Sequence, residues 1–204
     1  MPSSIPQQLN DIVELIIDTN PKSILDVGVG FGKYGFLSRE YLELWDGRGQ
    51  YKDWRRRIDG IEVFKEYLTP IHDFVYNQAY VGNVLDILPT LRTRYDLILL
   101  IDILEHFEYV DGIHLLKECR KHGRNIIIST PKHASMLQRE CFGNPFETHR
   151  FQWRKKHFRG FGSLFFVHHQ RSIICYMGED VQGVRKAQNS RALREILSAI
   201  TKYF

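Results

Sequence analysis

The sequence predicts an α/β protein, a doubly wound and mainly parallel sheet closed at one edge by an antiparallel hairpin. Three observations carry that expectation. Five short apolar runs alternate with helical stretches, the pattern of βαβ units. Two later runs are separated by Gln170 and Arg171 alone, a gap too short for a crossover helix but suited to a hairpin. The 204 residues, 43% of them hydrophobic, support one domain spanning 1–204 with a substantial core, and a second full domain is not expected.

Taken in order, Ile5, Leu9, Ile12, Val13 and Ile16 recur at helical spacing and predict an amphipathic helix over about 5–19. "SILDVG" (23–28) is the first strand. The polar, turn-rich stretch "WDGRGQYKDWRRR" (45–57) reads as a surface insertion before the second, "RIDGIEV" (57–63). "AYVG" (79–82), "YDLILLI" (95–101) and "NIIIST" (125–130) complete the parallel set, and such runs can be buried on both faces. Leu115, Leu116 and Cys119 mark a helix between the last two. "SLFFVHH" (163–169) and "SIICYMG" (172–178) form the hairpin. In the closing segment Ser190 is placed as an N-cap, with Leu193, Ile196, Leu197 and Ile200 on one face of a helix over about 190–202. That helix either packs on the core of a monomer or pairs two copies in a homodimer.

Composition narrows the partners. A net charge of +4 permits an anionic partner without demanding one. Three scattered cysteines, Cys119, Cys141 and Cys175, suggest neither a disulfide framework nor a thiolate zinc site. There is no basic, apolar leader and no run long enough to span a bilayer, so the expectation is a cytoplasmic chain without membrane contact.

The stretch "ILDVGVGFGKYG" (24–35) carries two overlaid glycine patterns. Gly30, Gly32 and Gly35 spell G-x-G-x-x-G, the dinucleotide fingerprint. Asp26, Gly28, Gly30 and Gly32 spell D-x-G-x-G-x-G. On the first reading, Asp26 and Gly28 would both lie within a buried parallel strand, which tolerates neither well. On the second, Asp26 sits at the strand's C-terminal tip, where ligands bind in open α/β sheets. A carboxylate there repels a pyrophosphate and suits an ammonium. Glu62, at the tip of the second strand, is placed for two ribose hydroxyls. An adenosine carrying an amino acid and no pyrophosphate matches those charges, and S-adenosylmethionine is such a ligand.

At these residues the chain resembles the class I S-adenosylmethionine-dependent methyltransferases over most of its length. "ILDVGVGFG", "IDGIEV", "YVGNVLDILPTLRTRYDLILLIDILEHF" and "NIIISTPK" look like that family's successive motifs. The resemblance implies a Rossmann-like seven-stranded sheet of order 3-2-1-4-5-7-6, in agreement with the hairpin. It implies that Asp26, Gly28, Gly30 and Gly32 hold the methionine part of the cofactor and Glu62 the ribose, with Val63 beside it. Asn83, where many relatives have aspartate, would meet the adenine amino group, Val84 would lie on the adenine face, and Ile101 would border the site.

Methyl transfer from a sulfonium is an in-line displacement, so the protein contributes alignment and a water-poor site. A base is required only for an acceptor that must lose a proton. The candidates are Asp102, Glu105 and His106 in "IDILEHF" and His149 in "NPFETHRFQW". Here the resemblance divides. Quinone-biosynthesis methyltransferases and other small-molecule members share an E-H pair and a later H-x-x-x-W without a metal. Small-RNA 2′-O-methyltransferases have E-x-x-E-H and H-x-F-E-W, which hold a divalent metal over two ribose hydroxyls. This chain has Asp102-x-x-Glu105-His106 and His149-x-Phe151-x-Trp153, with Asp where that family has Glu. Asp102, Glu105, His106 and His149 form a reasonable set for Mg²⁺, Mn²⁺ or Fe²⁺. The favoured expectation is no metal, with Glu105 and His106 hydrogen-bonded at a strand-to-helix turn and His149 capping the pocket.

From His149 to Arg171 no acidic residue occurs, while Arg150, Arg154, Lys155, Lys156, Arg159 and Arg171 interleave with Phe151, Trp153, Phe158 and Phe161. Such a stretch suits RNA, a phosphorylated sugar or an acidic carrier, or else is a solvated basic face over buried aromatics. "IDIL" is not the D/N-P-P-Y/F motif of base-amino methyltransferases, and there is no Pro-Cys for cytosine C5 chemistry. The expectation is methyl transfer to a small-molecule or glycan acceptor at oxygen. The alternatives are a metal-dependent RNA ribose 2′-O-methyltransferase and a non-catalytic cofactor-binding or interaction module.

Overall fold

The computed structural model describes residues 4–45, 53–133 and 138–201, with side chains described as far as Arg194. Seven strands form one sheet: β1 (Ser23–Val27), β2 (Arg57–Glu62), β3 (Gln78–Val81), β4 (Tyr95–Ile101), β5 (Gly123–Pro131), β6 (Leu164–Val167) and β7 (Ser172–Gly178). Their order is β3-β2-β1-β4-β5-β7-β6. β1 to β5 are mutually parallel, while β7 runs antiparallel to both β5 and β6. The doubly wound Rossmann-like sheet and its terminal hairpin are therefore as expected.

Alternation along the central strands explains why both faces are covered. Leu25, Val27, Ile98 and Leu100 enter one apolar layer together with Leu115, Leu116 and Cys119 of α5 (Tyr109–His122). Ile24, Leu97, Leu99 and Ile101 enter the other, against Ile12, Leu15 and Ile16 of α1 (Leu9–Thr19). A period of two in a strand with no polar face requires helices on both sides. Beside α1 lie α2 (Lys33–Arg39) and α3 (Pro70–Val75); the short α4 (Val84–Ile87) joins the α5 side.

The last helix departs from expectation. α6 runs Val181–Thr201, so it starts about nine residues before Ser190, which is an interior position rather than an N-cap. Buried Val181 and Val184, one turn apart, anchor its start in the core. Leu193 is exposed, and the side chains of Ile196, Leu197 and Ile200 lie outside those described. Arg191 ties the helix to α1 through Glu14 at 2.7 Å and Asp18.

Part of the expected insertion, 46–52, lies outside the described residues. Its end is not a loose loop. The backbone N–H of Arg55 donates to the Glu43 carboxylate at 2.6 Å, and the Trp54 indole N–H donates to the Phe74 carbonyl. Among the described residues no helix is long and apolar enough to cross a membrane.

Candidate active site

The site forms where strand order reverses, at the carboxyl ends of β1, β2 and β4. A cavity of about 310 Å³ opens there. Asp26, Gly28, Gly30, Glu62, Val63, Asn83, Val84 and Ile101 all line it, as do Asp102, Glu105, His106 and His149. Of the sequence-predicted site residues only Gly32 does not.

β1 ends at Val27, so the chain enters the glycine turn immediately after Asp26. Gly28, Gly30 and Gly32 have φ of +71°, +51° and +78°, a region costly for residues with a Cβ. A Cβ on Gly28 would come within 2.0 Å of Ile103 Cδ1. Gly32 caps α2 rather than facing the cavity. Gly35, third glycine of the dinucleotide pattern, lies inside α2, and a Cβ there would meet the Tyr76 ring at 2.4 Å. Its role is packing.

Asp26 is 3% exposed and accepts the Tyr76 hydroxyl at 2.7 Å. Burial pushes its pKa up to about 7, the Tyr76 hydrogen bond opposes the shift, and nearby Glu62 adds to it. Glu62 is also raised by burial, and its two oxygens accept from the backbone N–H groups of Gly30 and Phe64, each at 3.0 Å. The turn is held from below by His72. Its Nδ1 accepts from the Thr69 N–H at 3.0 Å, which leaves the Nε2 proton to donate to the Gly30 carbonyl at 2.8 Å. Asn83 uses its side-chain oxygen to cap α4 through the Leu85 N–H. Neither His72 nor Tyr76 had a sequence signal beyond its place near α3.

After β4 the backbone turns sharply, with Asp102 at φ +54°. Its carboxylate accepts from Gln8 and Ser129, each at 2.6 Å, and burial raises its pKa. Among the described residues Asp102 is not part of the cluster formed by the other three members of the alternative metal set. Glu105, His106 and His149 do converge, with potential ligand atoms within 4.8 Å of one another. The two imidazoles meet edge to face at 4.9 Å. Burial lowers both, His149 to about 4, and each is neutral at pH 7.

Glu105 is 2% exposed, and neither of its oxygens has a hydrogen bond of good geometry among the described residues, although the Thr130 hydroxyl lies near enough to oppose the rise in its pKa. The hydrogen-bonded Glu105 expected on structural grounds is thus not what the fold provides. Burial, with Asp102 nearby, raises its pKa well above the usual carboxylate range. An unpartnered buried carboxyl is costly, and a ligand that donates to it or neutralises it removes the cost.

The H-x-F-x-W segment reaches the cavity by docking on the turn that carries Glu105. The Arg150 N–H donates to the Glu105 carbonyl at 2.7 Å, and the indole N–H of Trp153 donates to the Leu104 carbonyl at 2.9 Å. Trp153 and Phe158 are fully buried, while Phe151 and Phe161 pack against the same core. The aromatic residues of 149–171 are thus core, not stacking platforms, and the cations Arg150, Arg154, Lys155, Lys156, Arg159 and Arg171 face outward.

No protein-family model matches the sequence, and no curated protein sequence matches it. Solved structures do. The methyltransferase domain of bacterial CtHen1 is similar with a TM-score of 0.58 at 17% identity, over 85% of this chain and 98% of that one. The N-terminal domain of EvdMO1, crystallised in the presence of S-adenosylhomocysteine and D-fucose, gives 0.57 at 17% identity, over 85% and 84%. An rRNA methylase from Escherichia coli gives 0.53 at 13% identity, over 84% and 64%. The chain has the fold of the class I S-adenosylmethionine-dependent methyltransferases.

Proposed function

We propose that the chain is an S-adenosylmethionine-dependent methyltransferase acting on a hydroxyl oxygen of a small-molecule or glycan acceptor. The observation that carries this reading is the convergence on one cavity of Asp26, Glu62 and the Glu105, His106 and His149 cluster. When bound, S-adenosylmethionine supplies an electrophilic methyl group on a sulfonium.

The chain's own residues do the rest. Asp26 pairs with the ligand's ammonium, and Glu62 offers its remaining lone pairs to the ribose hydroxyls. Gly28 and Gly30 let the backbone approach. Val63, Asn83 and Val84 flank the adenine, and Ile101 borders the site. Burial of Asp26, Glu62, Val84 and Ile101 limits water there, which strengthens the polar contacts they make. With its proton on Nδ1, directed at the Thr148 carbonyl 3.4 Å away, His106 presents Nε2 as the base that takes the acceptor's proton. His149 lies against it, and Glu105 holds the acceptor by hydrogen bonds. Incubation with methyl-labelled S-adenosylmethionine and a panel of hydroxylated small molecules and glycans tests the reading. His106→Ala is expected to lower kcat by about 10²–10⁴ while leaving cofactor affinity unchanged. Transfer that is indifferent to His106 contradicts the assigned base.

One observation favours a second reading, methylation of an RNA ribose 2′-hydroxyl with a divalent metal. Glu105, with both oxygens unpartnered beside two neutral imidazoles, is a donor set of the right chemistry. Stimulation by Mn²⁺ or Co²⁺ that His149→Ala abolishes supports it; full activity in EDTA rules it out. A non-catalytic module would bind cofactor, transfer nothing, and leave that cluster without a task.

A further inference from the structure

Outside the cavity, a groove of about 980 Å³ runs between α5 and the facing segment 156–162. It is lined by five cations, Lys117, Arg120 and Lys121 from α5 and Lys156 and Arg159 from across the groove, against one carboxylate, Glu118. The excess of four positive charges equals the formal net charge of the whole chain, +4. Glu118 is engaged by Lys121 at 2.6 Å. Among the described residues Lys117, Arg120, Lys156 and Arg159 make no ion pair. Nothing in methyl transfer uses them.

We propose that this groove is a binding site for an extended polyanion, a single-stranded nucleic acid. Three features point to a strand rather than to one anion. The groove is open, and its cations stand on both walls, so a chain laid between them is gripped from two sides. It is long, because Tyr109 to Lys121 spans twelve helical rises within α5, about 18 Å. And it begins beside the cavity: Tyr109, 42% exposed, lies three residues after His106, and its ring sits 5.0 Å from that of Phe151, two residues after His149. That exposed ring offers one base a stacking face where the groove meets the cavity wall. An acidic protein would be met by the same charges without a use for the ring.

The inference goes beyond the proposed methyl transfer and stands or falls separately. The probe is a fluorescently labelled oligouridylate, followed by anisotropy at rising salt, with polyglutamate as competitor. Binding is expected to weaken with salt at a log–log slope of roughly −2 to −3, as for three or four phosphate contacts on a single strand. The triple variant Lys117→Glu, Arg120→Glu, Lys156→Glu is expected to lose at least about tenfold in affinity. The control Lys65→Glu, Arg185→Glu, Lys186→Glu makes the same change in net charge on exposed residues elsewhere and is expected to lose far less. Equal loss in both triples, salt-insensitive binding, no binding, or polyglutamate competing as well as RNA would each overturn the proposal. Thermal unfolding of the same triples shows that they are folded, and S-adenosylhomocysteine binding reports on the cofactor reading independently.

Discussion

The hydroxyl of Tyr76 donates to the carboxylate of Asp26 at 2.7 Å, joining the end of α3 to the tip of β1 beneath the glycine turn. This hydrogen bond opposes the burial that pushes the pKa of Asp26 up to about 7. A carboxylate poised there is ionised by an incoming ammonium. Below its pKa one proton must leave for each ligand bound, so affinity for S-adenosylhomocysteine is expected to rise about tenfold per pH unit up to about pH 7 and then level off. Calorimetry across that range checks it, with Asp26→Asn expected to bind weakly and without that slope. A flat wild-type profile contradicts the assignment.

Gly35→Ala tests the same contact from the opposite side. Its Cβ would lie 2.4 Å from the Tyr76 ring, so the ring must move and the hydroxyl must leave Asp26. Cofactor affinity is expected to fall about tenfold or more while Tyr76→Phe, which keeps the ring in place, loses less. Equal affinities in wild type and Gly35→Ala would show that the ring yields without cost.

Glu105→Gln is expected to stabilise the fold while removing activity. The folded pKa of Glu105 lies above its unfolded value, so ionisation in the unfolded chain penalises folding at neutral and alkaline pH. That penalty vanishes as pH falls below the unfolded value. The variant's Tm should therefore exceed wild type most at alkaline pH, by roughly 2–4 °C per kcal/mol recovered, and the gap should close in acid. A lower Tm at every pH would mean that the carboxyl has a favourable partner.

Trp153→Ala is expected to cost about 3–5 kcal/mol, read by urea denaturation, since the side chain is fully buried and packed on Gly112. Trp153→Phe keeps bulk but leaves the Leu104 carbonyl without its donor, at about 1–2 kcal/mol. Both should lower turnover more than cofactor affinity, because the indole seats the segment that carries His149.

The sheet was legible because its strands are apolar on both faces and its last gap holds two residues. The cofactor-side candidates were legible as a group because tip carboxylates and left-handed glycines leave fixed spacings. Tyr76 and His72 were not, since they act across forty or more residues through contacts that only the packing of α3 creates. Asp102 was grouped with Glu105 by sequence spacing, but Gln8, from the far N-terminus, and Ser129 claim both its oxygens. The expected start of α6 rests on Ser190 as an N-cap, whereas burial of Val181 and Val184 carries the helix back to Val181. For the basic and aromatic stretch the sequence leaves a ligand-binding surface and a solvated basic face over buried aromatics both open; burial of Trp153 and Phe158 beneath outward cations matches the second.

Calorimetric titration of S-adenosylmethionine and S-adenosylhomocysteine into the wild type and Glu62→Ala, with NAD as control, tests the central claim most directly. Micromolar binding of both sulfur ligands, lost in Glu62→Ala and absent for NAD, is the predicted result. Failure of both to bind the folded wild type, or tighter binding of NAD, would contradict the methyltransferase reading.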